Sequence, residues 1–198
     1  EKVSGKTYAD FLQDNVFTPV GMKRTGYEDP LRVIPNRATG YDQLPGNPLT
    51  NLPYREIVGF YSAGGVYSTV EDLFLWDQAL YGEKILSKRS VEEMFTPATQ
   101  LYPGRQYGYG WLVSEKFGRR EVAHGGNATG FITYFARYPE DKLTVIVLSN
   151  NQRGSAGRIS NKIAAIMFGQ PYSVPTERKP LILPVESLNK FAGKYQVT

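Results

Sequence analysis

The sequence predicts an α+β fold in which an antiparallel β-sheet is flanked by helices. Apolar residues recur at helical spacing in several runs before residue 97, whereas residues 107–149 carry patterns typical of strands. A further helical pattern follows the last of these strands. Strands in a meander, with helices before and after them, are typical of an antiparallel sheet that helices cover.

Two of the early helices are predicted from a capping residue followed by apolar spacing. Thr7 can cap a helix that ends at Pro19 and Gly21. Ser68-Thr-Val-Glu71 fits a capping box for a second helix, which ends at Tyr81-Gly82. The apolar stripe of that helix is assigned to the core and consists of Leu73, Trp76, Ala79 and Leu80.

A third, shorter helix begins at Ser87 or Ser90 and ends before Pro97. Residues 26–65 are rich in Pro, Gly, Asn and Tyr without a sustained period, so irregular loops are expected there. This stretch is long for a loop without structure of its own. It is therefore either functional or contains short elements that the pattern does not reveal.

Four strands are predicted at residues 107–113, Glu121–His124, Phe131–Tyr138 and Leu143–Ser149. In the first, glycine alternates with aromatic residues, which indicates that another layer lies close. The last is apolar on both faces apart from Thr144, so it is expected to be central and covered on each side. The helix that follows is predicted to pack through the stripe Ile159, Ile163, Ile166 and Met167.

The chain divides into three predicted parts. Residues 1–170 carry the helices and strands and are expected to form one unit. Residues 171–186 are rich in proline and are interpreted as a linker, and residues 187–198 resemble the start of a further β element.

Composition excludes several classes of function. The net charge is +4 and the basic residues form isolated pairs, which disfavours a nucleic-acid partner. No cysteine and one histidine are present, so neither a disulfide framework nor a metal site is expected. No run approaches the roughly 20 apolar residues that span a bilayer, and no membrane span is expected in this segment.

Two short matches to catalytic motifs are rejected. Ser187-Leu-Asn-Lys190 fits S-x-x-K and Ser149-Asn-Asn151 fits S-x-N, but both follow His124, whereas penicillin-recognising enzymes place these motifs in the opposite order. A G-x-S-x-G nucleophile elbow does not occur in the sequence.

The single histidine, His124, is followed directly by Gly125-Gly126 between two predicted strands. A lone histidine is commonly a hydrogen-bonded structural residue, and a glycine pair between strands is commonly a turn. The alternative is an active-site strand. The surrounding sequence favours this second interpretation through its resemblance to a known family.

Five segments, in this order, carry the resemblance: FTPVGMKRTGY, SAGGVYSTVEDLFLWDQAL, YGYGWLV, HGGNATGF and YPEDKLTVIVLSN. Together they resemble the serine β-lactamase-like family, which comprises class C β-lactamases, related esterases and D-alanyl-D-alanine carboxypeptidases. The resemblance covers most of residues 1–170. It implies a β-lactamase/transpeptidase-like fold that lacks its N-terminal part.

In this family a serine of an S-x-x-K motif attacks a carbonyl group and forms an acyl-enzyme, and a tyrosine of a Y-x-N motif helps to move protons. A third motif, K-T-G or H-x-G, lies on an edge strand. His124-Gly125-Gly126 resembles this third motif, and the other two would precede Glu1. The resemblance therefore implies an enzyme whose nucleophile is upstream, and this chain alone is not expected to catalyse acylation.

The chemistry of an acyl-enzyme explains why these residue types suit the third motif. By resemblance, the backbone N–H of Asn127 helps to hold the oxyanion. Gly125 and Gly126 leave room for a substrate beside the strand, and His124 projects into the cleft. An imidazole is mostly neutral at pH 7, unlike a lysine ammonium, which favours esters or peptides over efficient β-lactam hydrolysis.

Weaker candidates for substrate binding are Tyr61, Asn150 and Asn151. The two asparagines can equally cap the following helix. No cofactor is expected, and the expected substrate is a small ester, peptide or β-lactam. Two alternatives remain open: a penicillin-binding D-Ala-D-Ala carboxypeptidase and a non-catalytic binding module with the same fold.

The resemblance also bears on location and partners. It implies a periplasmic or secreted bacterial protein. A chain that lacks half of such a fold would expose apolar surface, so we expect it to self-associate or to pair with the N-terminal fragment.

Overall fold

The computed structural model describes residues 1–44, 46–53, 57–174 and 184–193. Its strands are β1 (Gly26–Tyr27), β2 (Tyr41–Asp42), β3 (Thr50–Asn51), β4 (Val66–Tyr67), β5 (Thr99–Tyr102), β6 (Arg105–Tyr107), β7 (Leu112–Lys116), β8 (Arg119–Ala128), β9 (Phe131–Tyr138) and β10 (Leu143–Ser149). Within the described ranges, the last six form one antiparallel sheet in the order β10-β9-β8-β7-β6-β5. The predicted α+β class, an antiparallel sheet flanked by helices, is confirmed.

The helices are α1 (Tyr8–Leu12), α2 (Thr18–Val20), α3 (Val70–Ala79), α4 (Lys88–Met94), α5 (Ala156–Met167) and α6 (Val185–Leu188). A π-helical segment, Gln13–Phe17, joins α1 to α2, so the first helical run continues through Pro19. Proline is accepted there because it occupies the first turn of α2. Gly21, with φ of 87°, then ends the run as predicted.

The helix caps follow the predictions with one shift. The side chains of Thr7 and Ser87 accept hydrogen bonds from main-chain N–H groups at the starts of α1 and α4, as expected. Helix α3 is capped by Thr69 rather than by Ser68. The Ser68 hydroxyl instead lies 2.7 Å from the hydroxyl of Thr25, which removes it from the capping position.

The two faces of the sheet carry separate cores. On one face, Ala123, Ala136, Tyr138 and Val145 pack against Ala164 of α5. On the other, Trp111 and Val122 pack with the residues that end α3 and α4, Leu80 and Phe95. The adjacent residues Val122 and Ala123 are both fully buried because successive side chains of a strand point to opposite faces.

A buried ion pair ties α3 to the sheet. Arg137 of β9 and Asp77 of α3 are each 1% exposed, with a 2.5 Å separation between Nε and Oδ1. The Thr144 hydroxyl of β10 donates to the same carboxylate oxygen at 2.7 Å. Both charges are therefore compensated in a region that excludes water.

A second buried polar group lies on the α5 face. The Tyr138 hydroxyl donates to Glu121 Oε1 at 3.1 Å, and the Lys116 ammonium lies 2.8 Å from the same oxygen. Burial, together with the nearby Glu121 carboxylate, raises the pKa of the Tyr138 hydroxyl.

The predicted strand at residues 107–113 is wrong. The chain there forms the end of β6, a reverse turn and the start of β7. Gly110 has φ of 77°, which suits a turn. The expected close layer is present at Gly108, where an added Cβ would lie 2.5 Å from the Met94 carbonyl oxygen at the end of α4.

One packing prediction is half right and another is wrong. Strand β10 is not central: among the described strands it pairs with β9 alone and ends the sheet order. Its two faces are covered as predicted, one by α5 and the other by α3. Helix α5 packs through its small residues, so the predicted packing stripe is exposed: Ile159 45%, Ile163 39%, Ile166 51% and Met167 62%. The buried face comprises Ala156, Ser160, Ala164 and Ala165. On this side of the helix Gly157 also lies in van der Waals contact with the Tyr134 ring, since an added Cβ there would be 3.4 Å from it.

The remaining predictions concern the loops and the chain end. The stretch from residue 26 to residue 65 contains the short elements that its length suggested, β1, β2, β3 and a 3-10 segment, Ile57–Ala63. Residues 175–183 of the predicted linker and 194–198 of the predicted last element lie outside the described residues, so these assignments stay predictions. In the part of the chain that the structure describes, no helix is long and apolar enough to cross a membrane.

Candidate active site

Strand β8 is paired along both edges in its first half and along one edge in its second half. Strand β7 pairs with it only as far as Ala123, whereas β9 pairs with it as far as Ala128. Among the described strands, none lies along the second edge of His124–Ala128, which we call the open edge. Each residue of a strand directs its own N–H and C=O to one side, and the side alternates from one residue to the next. The N–H and C=O groups of every second residue therefore face this open edge.

His124 lies at the start of the open edge, and its side chain is exposed. Its ring Nδ1 is 2.7 Å from the Gly125 carbonyl oxygen, and its Nε2 is 3.2 Å from the Tyr107 hydroxyl. Because a carbonyl oxygen can only accept, Nδ1 carries the proton and donates. In the neutral ring Nε2 is then an acceptor, and Tyr107 donates to it. The two contacts therefore select one tautomer of the imidazole.

The glycine pair lies inside β8, so the alternative interpretation of a turn at these residues is wrong. The turn is formed by residues 129–130. An added Cβ at Gly126 would lie 2.6 Å from Thr133 Oγ1, and one at Gly125 would lie 3.2 Å from the ring of Tyr134. A side chain at Gly126 would thus have to displace the Thr133 hydroxyl, and one at Gly125 would have to shift the Tyr134 ring by a few tenths of an ångström.

Asn127 is exposed near the end of β8, and its side chain is held by Gln152. The Gln152 Nε2 donates to Asn127 Oδ1 at 3.1 Å, and the Gln152 Oε1 accepts from the Gly130 N–H at 2.5 Å. The Gln152 side chain therefore connects the end of β8 and the turn after it to the loop that follows β10.

Asn150 and Asn151 lie at the same end of the sheet, but their side chains form hydrogen bonds with the main-chain groups of Thr39 and Arg153. The Asn150 side-chain amide donates to the Thr39 carbonyl at 2.9 Å, and the main-chain carbonyl of Asn150 accepts from the Tyr41 N–H at 2.9 Å. Asn151 Oδ1 accepts from the Arg153 N–H at 2.9 Å. Neither residue caps α5, because the cap position is Ser155.

Tyr61 is not joined to the open edge by a hydrogen bond or a ring contact. Its ring lies 5.1 Å from that of Tyr8 between centroids. Desolvation and a hydrogen bond with Glu1 raise the pKa of its hydroxyl. These contacts connect Tyr61 to the first helix and leave its role in substrate binding a prediction.

Two residues at this site were not among the predicted site residues. Tyr107 belongs to the YGYGW segment, where the alternation of aromatic residues and glycine favoured a packing role. Gln152 carried no recognisable signal, because its partners are 22 and 25 residues away in sequence. Across the described ranges, no three carboxylate or histidine side chains lie together as a metal site would require.

The comparison with known proteins identifies the family. Residues 1–166 match the Beta-lactamase family, so the chain belongs to the β-lactamase family. This is a family of serine hydrolases, and the relatives of the chain include penicillin-binding proteins and D-aminopeptidases.

Three relatives illustrate the extent of the match. The chain is 33% identical to penicillin-binding protein 4* of Bacillus subtilis (strain 168), over 98% of the chain and 47% of that protein. It is 25% identical to a D-aminopeptidase of Gluconobacter oxydans (strain 621H), over 85% of the chain and 32% of that protein. The octameric penicillin-binding protein homologue from Pyrococcus abyssi has a similar structure, with a TM-score of 0.79 at 28% identity, over 86% of the chain and 40% of that protein. The chain thus spans less than half the length of these relatives.

Proposed function

We propose that this chain is the part of a serine hydrolase that holds the oxyanion and the substrate beside an acylated serine. The substrates are small esters, amides or β-lactams. The nucleophile lies in a segment upstream of residue 1, and the 198-residue chain alone is inactive. The reaction uses neither a metal nor an organic cofactor, and the protein acts in the bacterial periplasm or after secretion.

The single observation that supports this proposal is the open edge of β8. Main-chain N–H groups between His124 and Ala128 lack a neighbouring strand on one side among the described residues. Amides held by a sheet are fixed before a ligand arrives, and fixed donors stabilise developing negative charge better than mobile ones. The exposed ring of His124 lies at the start of the same segment.

The proposed chemistry divides the reaction into two acyl transfers. The serine oxygen attacks the substrate carbonyl carbon, and the carbonyl oxygen becomes an oxyanion that accepts from the Asn127 N–H. The bond between this carbon and the leaving group breaks, the leaving group takes up the proton lost by the serine hydroxyl, and the acyl group stays on the serine. Water then attacks the same carbon, the bond to the serine oxygen breaks, one water proton restores the serine hydroxyl, and the carboxylic acid leaves. Removing one such donor typically lowers the rate by about 10²–10³-fold.

The geometry at His124 favours ester or peptide substrates over efficient β-lactam hydrolysis. Nδ1 lies 2.7 Å from the Gly125 carbonyl oxygen and Nε2 lies 3.2 Å from the Tyr107 hydroxyl. Both nitrogens are therefore engaged within the protein, and the ring offers no fixed positive charge to a ligand carboxylate. A penicillin-binding carboxypeptidase is the second enzymatic candidate, supported by the similarity to penicillin-binding protein 4*.

The test is covalent labelling of the full-length protein. A fluorophosphonate or penicillin probe is expected to attach at one serine, which mass spectrometry locates upstream of this chain. The rates with an ester and with a β-lactam then separate the two enzymatic candidates. A full-length protein that binds ligand at the open edge but is labelled by neither probe would instead be the non-catalytic binding module.

We further propose that the upstream segment supplies a strand that pairs with β10. Strand β10 has no charged residue, and among the described strands its outer edge is unpaired. Such edges normally acquire a partner or are blocked by charge. Hydrogen exchange of the outward amides of β10 is expected to be slow in the full-length protein and faster in the 198-residue chain. Equally fast exchange in both would contradict the pairing.

A further inference from the structure

We propose that Gln152 is a positioning residue, which acts on catalysis by fixing Asn127. This inference rests on the proposed function, in which the Asn127 N–H holds the oxyanion. Gln152 follows β10, and among the described residues its side chain forms hydrogen bonds with Asn127 and with the Gly130 N–H. Its side chain is half-buried, so its orientation is constrained by the surrounding protein.

The hydrogen bonds of Gln152 leave one arrangement of its amide. The Gly130 N–H can only donate, so the atom 2.5 Å from it must be Oε1. This orientation directs Nε2 to Asn127 Oδ1, 3.1 Å away, and Oδ1 accepts. Reversing the amide would place a donor against the Gly130 N–H. The Gly130 contact therefore determines which group Gln152 presents to Asn127.

The main chain of Gln152 is held independently of its side chain. Its N–H donates to the Tyr41 carbonyl at 2.7 Å, and the Tyr41 N–H donates to the Asn150 carbonyl at 2.9 Å. Strand β2, which begins at Tyr41, thus supports the segment from which Gln152 extends. A side chain that leaves a fixed backbone can hold its partner with a small loss of entropy.

The turn after β8 is in contact with the loop that ends at Gly40, directly before β2. An added Cβ on Gly130 would lie 2.6 Å from the Cα of Gly40, and one on Gly40 would lie 2.9 Å from the Cα of Gly130. The two backbones are in direct contact, so the turn cannot move toward the loop. Gln152 connects this fixed turn to Asn127, where β8 lacks a second strand. The amide thereby adds a side-chain hydrogen bond to β8 in the half of the strand that β7 does not pair with.

The test uses Gln152→Met in the full-length protein, because methionine keeps the length of the side chain and removes both hydrogen bonds. We expect the acylation rate constant at saturating probe to fall between about tenfold and a hundredfold, with the probe concentration for half-saturation unchanged. Gln170→Met, at an exposed glutamine beyond α5, is the matched control and should keep the wild-type rate.

A double-mutant cycle distinguishes positioning from general destabilisation. If Gln152 acts through Asn127, then Gln152→Met in an Asn127→Ala background should slow acylation by less than about twofold. A wild-type rate for Gln152→Met, or a loss that is fully additive with Asn127→Ala, would overturn the positioning role. If the wild-type protein is labelled by neither probe, the proposed function fails first. The positioning role then depends on the Asn127 amide resonance, which Gln152→Met must shift; an unmoved resonance overturns it.

Discussion

The hydroxyl of Tyr107 lies 3.2 Å from Nε2 of His124, and the two rings meet edge to face with centroids 6.0 Å apart. Tyr107 ends β6, two strands away from β8 in the sheet order. It reaches His124 because β7 stops pairing with β8 at Ala123. Tyr107 can thus contact His124 only because β7, the strand between β6 and β8, no longer separates them at this position.

This contact predicts the tautomer of His124. We expect the neutral ring to carry its proton on Nδ1, because Nδ1 faces the Gly125 carbonyl and Nε2 faces a hydroxyl donor. Long-range ¹H–¹⁵N correlation above pH 8 measures the tautomer, and the only histidine in the chain needs no assignment. Tyr107→Phe should increase the fraction with the proton on Nε2. A wild-type ring protonated mainly on Nε2 would contradict the geometry.

Removing one partner of the buried ion pair is predicted to be strongly destabilising. Asp77→Ala leaves the charge of Arg137 uncompensated at 1% exposure, so the free energy of unfolding should fall by about 3–5 kcal/mol. Urea denaturation measures this value. The control is Glu92→Ala, which removes an exposed pair with Lys88 and should change stability by no more than about 1 kcal/mol. Similar losses in both variants would show that burial of the pair is unimportant.

The raised pKa of Tyr138 predicts a loss of stability at high pH. The unfolded tyrosine ionises above its ordinary pKa of about 10, whereas the folded one stays neutral to higher pH. At a pH above the ordinary tyrosine pKa, the folded state therefore holds a proton on Tyr138 that the unfolded state has lost. The contribution of this residue is complete below pH 10 and declines as the pH rises, by up to about 1.4 kcal/mol per pH unit.

Urea denaturation between pH 8 and 11 tests this prediction. Tyr138→Phe should show a shallower decline than the wild type, because phenylalanine cannot ionise. Tyr109→Phe is the control, since Tyr109 is 65% exposed and should leave the slope unchanged. The idea is wrong if Tyr138→Phe and the wild type decline in parallel.

A side chain at position 126 is predicted to lower stability because it would collide with the Thr133 hydroxyl. An alanine Cβ would lie 2.6 Å from the threonine hydroxyl oxygen, so Gly126→Ala should cost about 1–3 kcal/mol of stability. The same substitution should cost less than about 1 kcal/mol in a Thr133→Ala background. Gly82→Ala, at a glycine with nothing within 4 Å of an added Cβ, is the control. An unchanged cost in the Thr133→Ala background would exclude this contact as the cause.

Helix α5 is predicted to respond to substitutions on its small-residue face and not on its isoleucine face. Ile166→Ser should change the free energy of unfolding by less than about 0.5 kcal/mol, because Ile166 is 51% exposed. Ala164→Leu should cost about 1–3 kcal/mol, because Ala164 is fully buried against the sheet. Chemical denaturation of the two variants is sufficient, and the reverse order of losses would contradict the observed packing.

The sequence predicted the elements whose signals are local. Thr7 is predicted as a cap, and Ser87 as one of two candidates with Ser90, because a cap bonds to N–H groups two or three residues away. Strands β9 and β10 have the predicted bounds, since runs of β-branched and aromatic residues are bounded by clear turn residues. The fold class and the family followed from the order of such segments.

The errors concern properties that depend on distant parts of the chain. Whether β10 is central depends on which strands lie beside it, and an apolar run alone cannot specify its neighbours. The isoleucine stripe of α5 has helical spacing, but the residues that pack against the sheet are the small ones beside it, Ala156, Ser160 and Ala164, and spacing alone does not show which side of the helix meets the sheet. Gln152 was missed for a related reason, because both partners of its side chain lie on another hairpin.

The alternation along β8 limits how this protein can diversify. Val122 and Ala123 are fully buried on opposite faces, and a slip of one residue would exchange the sides of the whole strand, His124 included. Burial of Val122 and Ala123 therefore fixes the side of the sheet to which His124 points, and this side cannot change without disrupting the core. Substitutions that alter the proposed substrate specificity without disturbing the fold should therefore be found in the segments around the strand, such as the one that carries Gln152, and not in the strand itself.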